Sequence, residues 1–219
     1  MGPSCCYAGI AQAQNASPPS VSKNEIVLGT ILDQSGPLAS YGKQFRMGLQ
    51  LRVDEADEMG GVHGRKIKLL VEDDNYDRKK SVLATQKLMG QVNGIFAVIG
   101  RMGTAPNNAS MPLQFEKNVI NFLPHAAARS MSEPPHRLKW ANQPSQYDQV
   151  RIAAPQLMKQ HKLSKACIIY QDDDFGAEVL QGAEAGLKTI GKAFVEKTSY
   201  KRGATDFSSQ VAPGDLVAL

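Results

Sequence analysis

The chain has 219 residues, 42% of them hydrophobic and 21% charged, with 25 basic against 21 acidic side chains for a formal charge of +4. That length builds one large core or two small ones, and no apolar run nears the roughly 18 residues that a membrane-crossing helix requires. The basic residues are spread rather than massed among aromatics, which argues against nucleic acid as a partner, and three cysteines, two of them adjacent at Cys5 and Cys6, make neither a disulfide framework nor a C-x-x-C metal site.

Residues 1–23 are small and polar and read as a tail or the remnant of a signal peptide. Ala11-Gln12-Ala13 has the small-x-small form of a cleavage site without a basic segment before it. From Glu25 the pattern changes. Glu25 to Leu32 is apolar on both faces, as a strand buried in a parallel sheet should be. Phe45, Leu49, Val53, Ala56 and Met59 then recur at three- and four-residue steps, predicting a helix that Gly60-Gly61 stops. The unit repeats: strand Lys66 to Val71, a helix capped by Asp77 and carrying Val82, Thr85, Leu88, Met89 and Val92, strand Gly94 to Ile99, a helix from Thr104 interrupted by Pro112, and strand Val119 to Leu123. Four strands with three intervening helices predict one doubly wound α/β lobe, residues 24–141.

Between Pro124 and Gln143 the periodicity fails, and Pro134-Pro135 precedes Leu138-Lys139-Trp140, so the passage to a second lobe belongs here. A helix from Gln146 to Gln160, strand Lys165 to Tyr170, helix Ala177 to Ile190 and strand Ala193 to Tyr200 restart the alternation in a partial second lobe, residues 142–219. After Thr205-Asp206-Phe207 only a stub of helix fits before Pro213-Gly214 and the apolar Leu216 to Leu219. Cys167, inside an apolar run, reads as a small buried hydrophobe.

Open α/β sheets place ligands beyond the carboxyl ends of their strands, and two loops there stand out. Asp33-Gln34-Ser35-Gly36-Pro37 follows the first strand, with Tyr41-Gly42 at the next helix entry; an ordinary turn with a surface tyrosine reads equally well. Arg101-Met102-Gly103-Thr104-Ala105-Pro106 follows the third strand, where free amides, the Thr104 hydroxyl and a positive helix terminus suit a carboxylate, although an N-capping threonine is the commoner use of that residue. Glu72-Asp73-Asp74 and Asp172-Asp173-Asp174 each follow a strand and invite a Mg²⁺-dependent phosphotransfer reading. No phosphate loop accompanies them, and solvated strand ends account for them more simply. His63, His125, His136 and His161 are scattered, and Ser35 and Ser110 lack a nucleophile elbow. His125, at the end of the fourth strand, reads as pocket lining.

Taken in order, Leu32-Asp33-Gln34-Ser35-Gly36-Pro37 with Tyr41-Gly42, Asp54-Glu55-Ala56, Gly60-Gly61-Val62-His63-Gly64-Arg65, Glu72-Asp73-Asp74, then Ile168 to Gly176 and Thr205-Asp206-Phe207-Ser208 resemble the leucine/isoleucine/valine-binding family of type I periplasmic binding proteins from about Asn24 onward. The resemblance implies two α/β lobes joined by three crossing segments, closing on a small amino acid or carboxylate that is handed to an ABC permease in the periplasm. It implies no enzyme activity, no cofactor and no metal. By similarity, the carboxylate meets Thr104 and the backbone of Met102 and Gly103, with Tyr41 over it. His125, Ala126 and Ala127 receive a second polar group, Gln146 stands near the crossing and Phe175 closes the pocket from the second lobe. Where amino-acid binders of the family often offer an aspartate for the ammonium, this chain has Ser145-Gln146-Tyr147. The family runs to roughly twice the folded part of this chain, so the return crossing and part of the pocket are expected beyond residue 219. A sensory domain of the same fold is the alternative use of these features.

Overall fold

The computed structural model describes residues 20–92 and 94–211. The cleavage-site pattern at Ala11 to Ala13, the Cys5-Cys6 pair and the terminal segment with Pro213-Gly214 and Leu216 to Leu219 lie outside the described residues. In the first lobe the order is β1 (Glu25–Leu32), α1 (Ala39–Glu58), β2 (Lys66–Asp73), α2 (Arg78–Met89), β3 (Ala97–Ile99), α3 (Thr104–Glu116), β4 (Ile120–Phe122), a 3-10 turn (Arg129–Met131) and β5 (Lys139–Trp140). The strands form one parallel sheet in the order β2-β1-β3-β4-β5. The chain therefore winds outward from β1 in both directions, and loops from β1 and β3 part at the strand ends.

Three sequence expectations for the first lobe need correction. Lys139-Trp140 is a fifth strand of the first sheet rather than part of an irregular passage. β3 is shorter than the run Gly94 to Ile99, because Gly94 has φ +62° and turns the chain before pairing begins. Met59 and Val92 sit past the ends of α1 and α2, 68% and 100% exposed, so neither belongs to a buried stripe.

Apolar burial explains one face of this sheet. Val27 and Ile31 of β1, Val98 of β3, and Ala84 and Leu88 of α2 pack with Ile95 and Val119 into a continuous core. Asp77 starts α2 by accepting hydrogen bonds from the amides of Lys79 and Lys80. Gly29 lets α2 come close, since a β-carbon there would meet Leu88 and Ile95. The opposite face is covered less: beside α1 runs a groove of about 820 Å³ lined by Phe45, Leu49, Phe96, Ile99, Phe122 and Trp140 among others.

The second lobe has α4 (Gln146–Gln160), β6 (Cys167–Gln171), α5 (Asp174–Lys188), β7 (Glu196–Tyr200) and the short α6 (Ser208–Val211). β6 and β7 are parallel. Ser145 caps α4 through the Asp148 amide, and Asp173 caps α5 through the amides of Phe175 and Gly176. α4 and α5 lie in close contact because Gly182 and Gly186 leave room for the α4 backbone at Tyr147 and Arg151. Cys167 is exposed, not buried: it shares the open face of β6 with Ile169, while α5 packs against the strand.

Candidate ligand-binding site

The carboxyl ends of β1 to β4 converge, and the loops that leave them are fixed by buried polar side chains. Asp33, fully buried, accepts hydrogen bonds from the amides of Ser35 (3.2 Å), Gly36 (2.5 Å) and Leu38 (2.7 Å). This tight turn delivers α1, and with it Tyr41, to the strand ends. Gly42 is required there, since a β-carbon would strike the Asp33 carbonyl. Asp73 holds the same turn from the next strand by accepting from the Gln34 amide (2.9 Å) and the Ser35 hydroxyl (2.6 Å). Burial works to raise the Asp73 carboxyl, but these bonds and one from the Asn75 amide, with Lys80 nearby, hold it below the ordinary carboxylate range.

The loop after β3 rests on a buried cation. Arg101 is wholly inaccessible; it donates to Gln114 Oε1 (3.0 Å), Ser110 Oγ (2.6 Å), the Ser81 carbonyl (3.3 Å) and the Ser81 hydroxyl. Ser81 in turn donates to Asp74 Oδ2 (2.8 Å). Desolvation pulls the guanidinium down to about 10, and Asp74 acts to restore it; burial raises Asp74 above its usual range. Asp74, the last acidic residue of the Glu72-Asp73-Asp74 run, is therefore a structural counter-charge and not a solvated strand end. Ser110 is equally structural, donating to the Pro106 carbonyl (2.9 Å) while it receives Arg101.

Arg101 carries Met102, Gly103 and Thr104 into position. Met102 pairs with His125 as an isolated parallel bridge, the Gly103 amide donates to the His125 carbonyl (3.1 Å), and the His125 amide donates to the Arg101 carbonyl (2.8 Å). The Tyr41 hydroxyl and His125 Nε2 are 2.7 Å apart, and the Phe45 ring lies 5.1 Å from the imidazole, whose partial burial lowers its pKa. Gly103 has φ +87° and is covered by the Tyr76 ring, so neither a side chain nor a different backbone fits there. Gly103, not Thr104, is the N-cap residue of α3, and Thr104 is the first helical residue. Its hydroxyl is buried, the residue being 1% exposed, and has no hydrogen-bond partner among the described residues. The Thr104 and Ala105 amides open the helix, where no intrahelical carbonyl serves them.

Ala126 and Ala127 are buried beside this loop, and the Ala127 carbonyl accepts from the Gln146 amide (2.5 Å), which brings the start of the second lobe to the end of β4. Gln146 Oε1 is also buried without a partner among the described residues, as are Arg101 Nε, Gln114 Nε2 and Asn121 Oδ1 in the network beneath the loop. Phe175 is half-buried at the start of α5. Of the residues expected at the site, Tyr41, Met102, Gly103 and His125 are joined by direct bonds, as are Ala127 and Gln146.

Sequence reading missed Tyr76 and Arg202. Tyr76 is 6% exposed at φ +53°, and burial pushes its hydroxyl above the usual phenol range. The Arg202 guanidinium lies 4.7 Å from its ring, donates to its carbonyl and pairs with Asp173 at 2.9 Å. Further contacts cross between the lobes from one row of α5. Asp174 pairs with Arg78 and accepts from Asn108 (2.8 Å), Glu178 pairs with Arg129 (3.0 Å), and Gln181 accepts from Arg129 (2.8 Å). Positions 174, 178 and 181 share one helical face. The spacing of Asp174, Glu178 and Gln181 was a readable signal; Arg202, in a loop, offered none.

Two lobes, each built on a parallel sheet and tied to each other by α5 side chains beside the loops at the strand ends, have the architecture of a hinged two-lobed binding protein. A family model described as periplasmic binding protein matches residues 25–213, and the chain belongs to that family. Its members are substrate-binding proteins rather than enzymes. The chain is similar to the Leu/Ile/Val-binding protein BraC3 of Rhizobium johnstonii, 28% identical over 187 residues, 84% of this chain and 50% of the relative. Among solved structures it is similar to a fatty acid ABC transporter substrate-binding protein from Thermomonospora curvata (26% identity, TM-score 0.78, 89% of this chain and 49% of that one) and to a substrate-binding periplasmic protein from Ralstonia solanacearum (25%, 0.77, 84% and 52%). The chain thus spans about half the length of the relatives it matches.

Proposed function

We propose that this chain is the ligand-carrying part of an ABC importer of the branched-chain amino-acid type, taking up a small carboxylate or amino acid in the periplasm and presenting it to a permease. The observation that carries the reading is the Thr104 hydroxyl, buried without a partner among the described residues, beside two amides that no helix carbonyl serves at the start of a 13-residue helix. A buried hydroxyl left unpaired costs about 1–3 kcal/mol, so the site favours a ligand that supplies the missing bond. A carboxylate fits, because it accepts from hydroxyl and amides at once and meets the positive end of the helix. Tyr41 and His125 flank the same loop, and Gln146 and Phe175 approach from the second lobe. Relatives named for Leu/Ile/Val and for a fatty acid both imply ligands with a carboxylate. Titration calorimetry of the 219-residue chain with leucine and octanoate tests this. Thr104→Ala should weaken whichever ligand binds at least tenfold, whereas Thr189→Ala, whose hydroxyl serves the far end of α5, should not. Equal affinities in the two variants would place the carboxylate elsewhere.

A further inference from the structure

We infer that Tyr76 is a positioning residue that couples the placement of the second lobe to the order of residues 102–104: this loop is confined when Arg202 of the second lobe closes on Tyr76 and loosened when it leaves. Every link is a direct contact. Tyr76 lies in the turn after β2, buried, with its ring so close over Gly103 that a β-carbon there would strike Cε2. Its amide donates to Asp74 Oδ1 (3.0 Å), the carboxylate whose other oxygen receives Ser81 in the Arg101 network. From the second lobe, Arg202 donates to the Tyr76 carbonyl and holds its guanidinium 4.7 Å from the ring centroid. Arg202 is braced within its own lobe by Asp173, 2.9 Å away, whose carboxylate also caps α5. The loop after β7 and the start of α5 therefore meet Tyr76 together.

The conformation of this turn is imposed by its neighbours. Asn75 and Tyr76 both have φ +53°, in the left-handed region that an aromatic residue enters only where its surroundings hold it there. Asp74 and Gly103 hold it from the first lobe, Arg202 from the second. Withdrawing Arg202 removes the bond that fixes the carbonyl and the cation that lies over the ring. Gly103, which has the widest conformational freedom of any residue in the loop, then loses the cover that confines it. The coupling needs no ligand, so it stands or falls apart from what the loop binds.

Amide hydrogen exchange of the ligand-free 219-residue chain, resolved by residue with NMR, tests the inference. The reporters are the amides of Met102 and Gly103, which donate to the carbonyls of Ile31 and His125. Arg202→Ala should speed their exchange about tenfold or more and leave the β1 amides unchanged, and Arg202→Lys, which still donates to the carbonyl, should restore most of the protection. Arg129→Ala, which breaks the ties to Glu178 and Gln181 without touching Tyr76, should change them less than about twofold. Tyr76→Gly suits the left-handed backbone and removes only the side chain; it should reproduce the acceleration at Gly103, and Arg202→Ala should add nothing to it. The inference is wrong if Arg202→Ala leaves both amides protected, if Arg129→Ala speeds them equally, or if Tyr76→Gly has no effect of its own. The last outcome decides the matter even where Arg202→Ala loosens the whole second lobe. A failure on any of these counts leaves the carboxylate reading standing, since that rests on the titrations with Thr104→Ala.

Discussion

Replacing Arg101 by methionine isolates the contribution of the buried guanidinium, since methionine retains much of the stem while removing every donor. The arginine is fully inaccessible and makes four hydrogen bonds, to two hydroxyls, one carbonyl and one amide oxygen. Two of its acceptors have other work: Ser81 Oγ still donates to Asp74 and Ser110 Oγ to the Pro106 carbonyl. Gln114 Oε1 loses its Arg101 partner, and Asp74, 1% exposed, loses its nearby positive charge. Breaking a buried charged arrangement from one side costs about 3–5 kcal/mol, a large share of the roughly 5–15 kcal/mol that stabilises a domain. Urea unfolding followed by circular dichroism should show a loss in this range for Arg101→Met. Arg52→Ala, which breaks an exposed pair with Glu55, should lose under about 1 kcal/mol. A loss for Arg101→Met no larger than that of the surface control would refute the claim that this network holds the loop of the candidate site.

Other substitutions probe separate parts of the fold. Asp73 is held below its ordinary value of 3.8, so its contribution to stability is complete above that value and fades as pH falls through the lower folded-state value; the melting temperature of Asp73→Asn should trail the parent near neutral pH and converge with it in strong acid. Gly182→Ala should destabilise the second lobe by about 1–3 kcal/mol, because its methyl group meets the Tyr147 backbone and must push α4 from α5; unchanged denaturant midpoints would mean that the helices yield freely. Trp140, the single tryptophan, is 55% exposed at the rim of the apolar groove, so its emission should be red-shifted and quenched by iodide, and Trp140→Lys should reduce binding of a hydrophobic dye.

β1 was legible to the residue because a strand buried on both faces is written as an unbroken apolar run. β5 escaped because two residues, one of them lysine, carry no periodicity; only the neighbouring β4 makes Lys139-Trp140 a strand. The turn at Asp33 and the loop at Thr104 were located by their place after strands, yet Asp73 and Asp74, which help to fix them, read as solvated strand ends. Asp74 and Arg101 look like surface charges in a sequence, since burial of an ion depends on partners distant along the chain. One local signal existed: Asn107, Ser110 and Gln114 form a polar stripe on the inward side of α3, and a buried stripe of that kind needs something charged or polar to face. Cys167 was misassigned for the opposite reason, because an apolar neighbourhood in sequence does not say which side of a strand is covered.

The row Asp174, Glu178 and Gln181 on α5 also sets an order of release. From 174 to 181 the helix advances about 10 Å, at 1.5 Å per residue. The Arg129 end of this row adjoins the passage between the lobes, where the guanidinium lies 3.9 Å from the Tyr147 ring, and the Arg78 end is farthest from it. Swinging the rigid helix about the near end by about 10° displaces the far end by nearly 2 Å, enough to part Asp174 from Arg78 and Asn108 while Arg129 still holds Glu178. If α5 swings about its Arg129 end when the lobes part, the ties at its tip give way first and those beside Arg129 last.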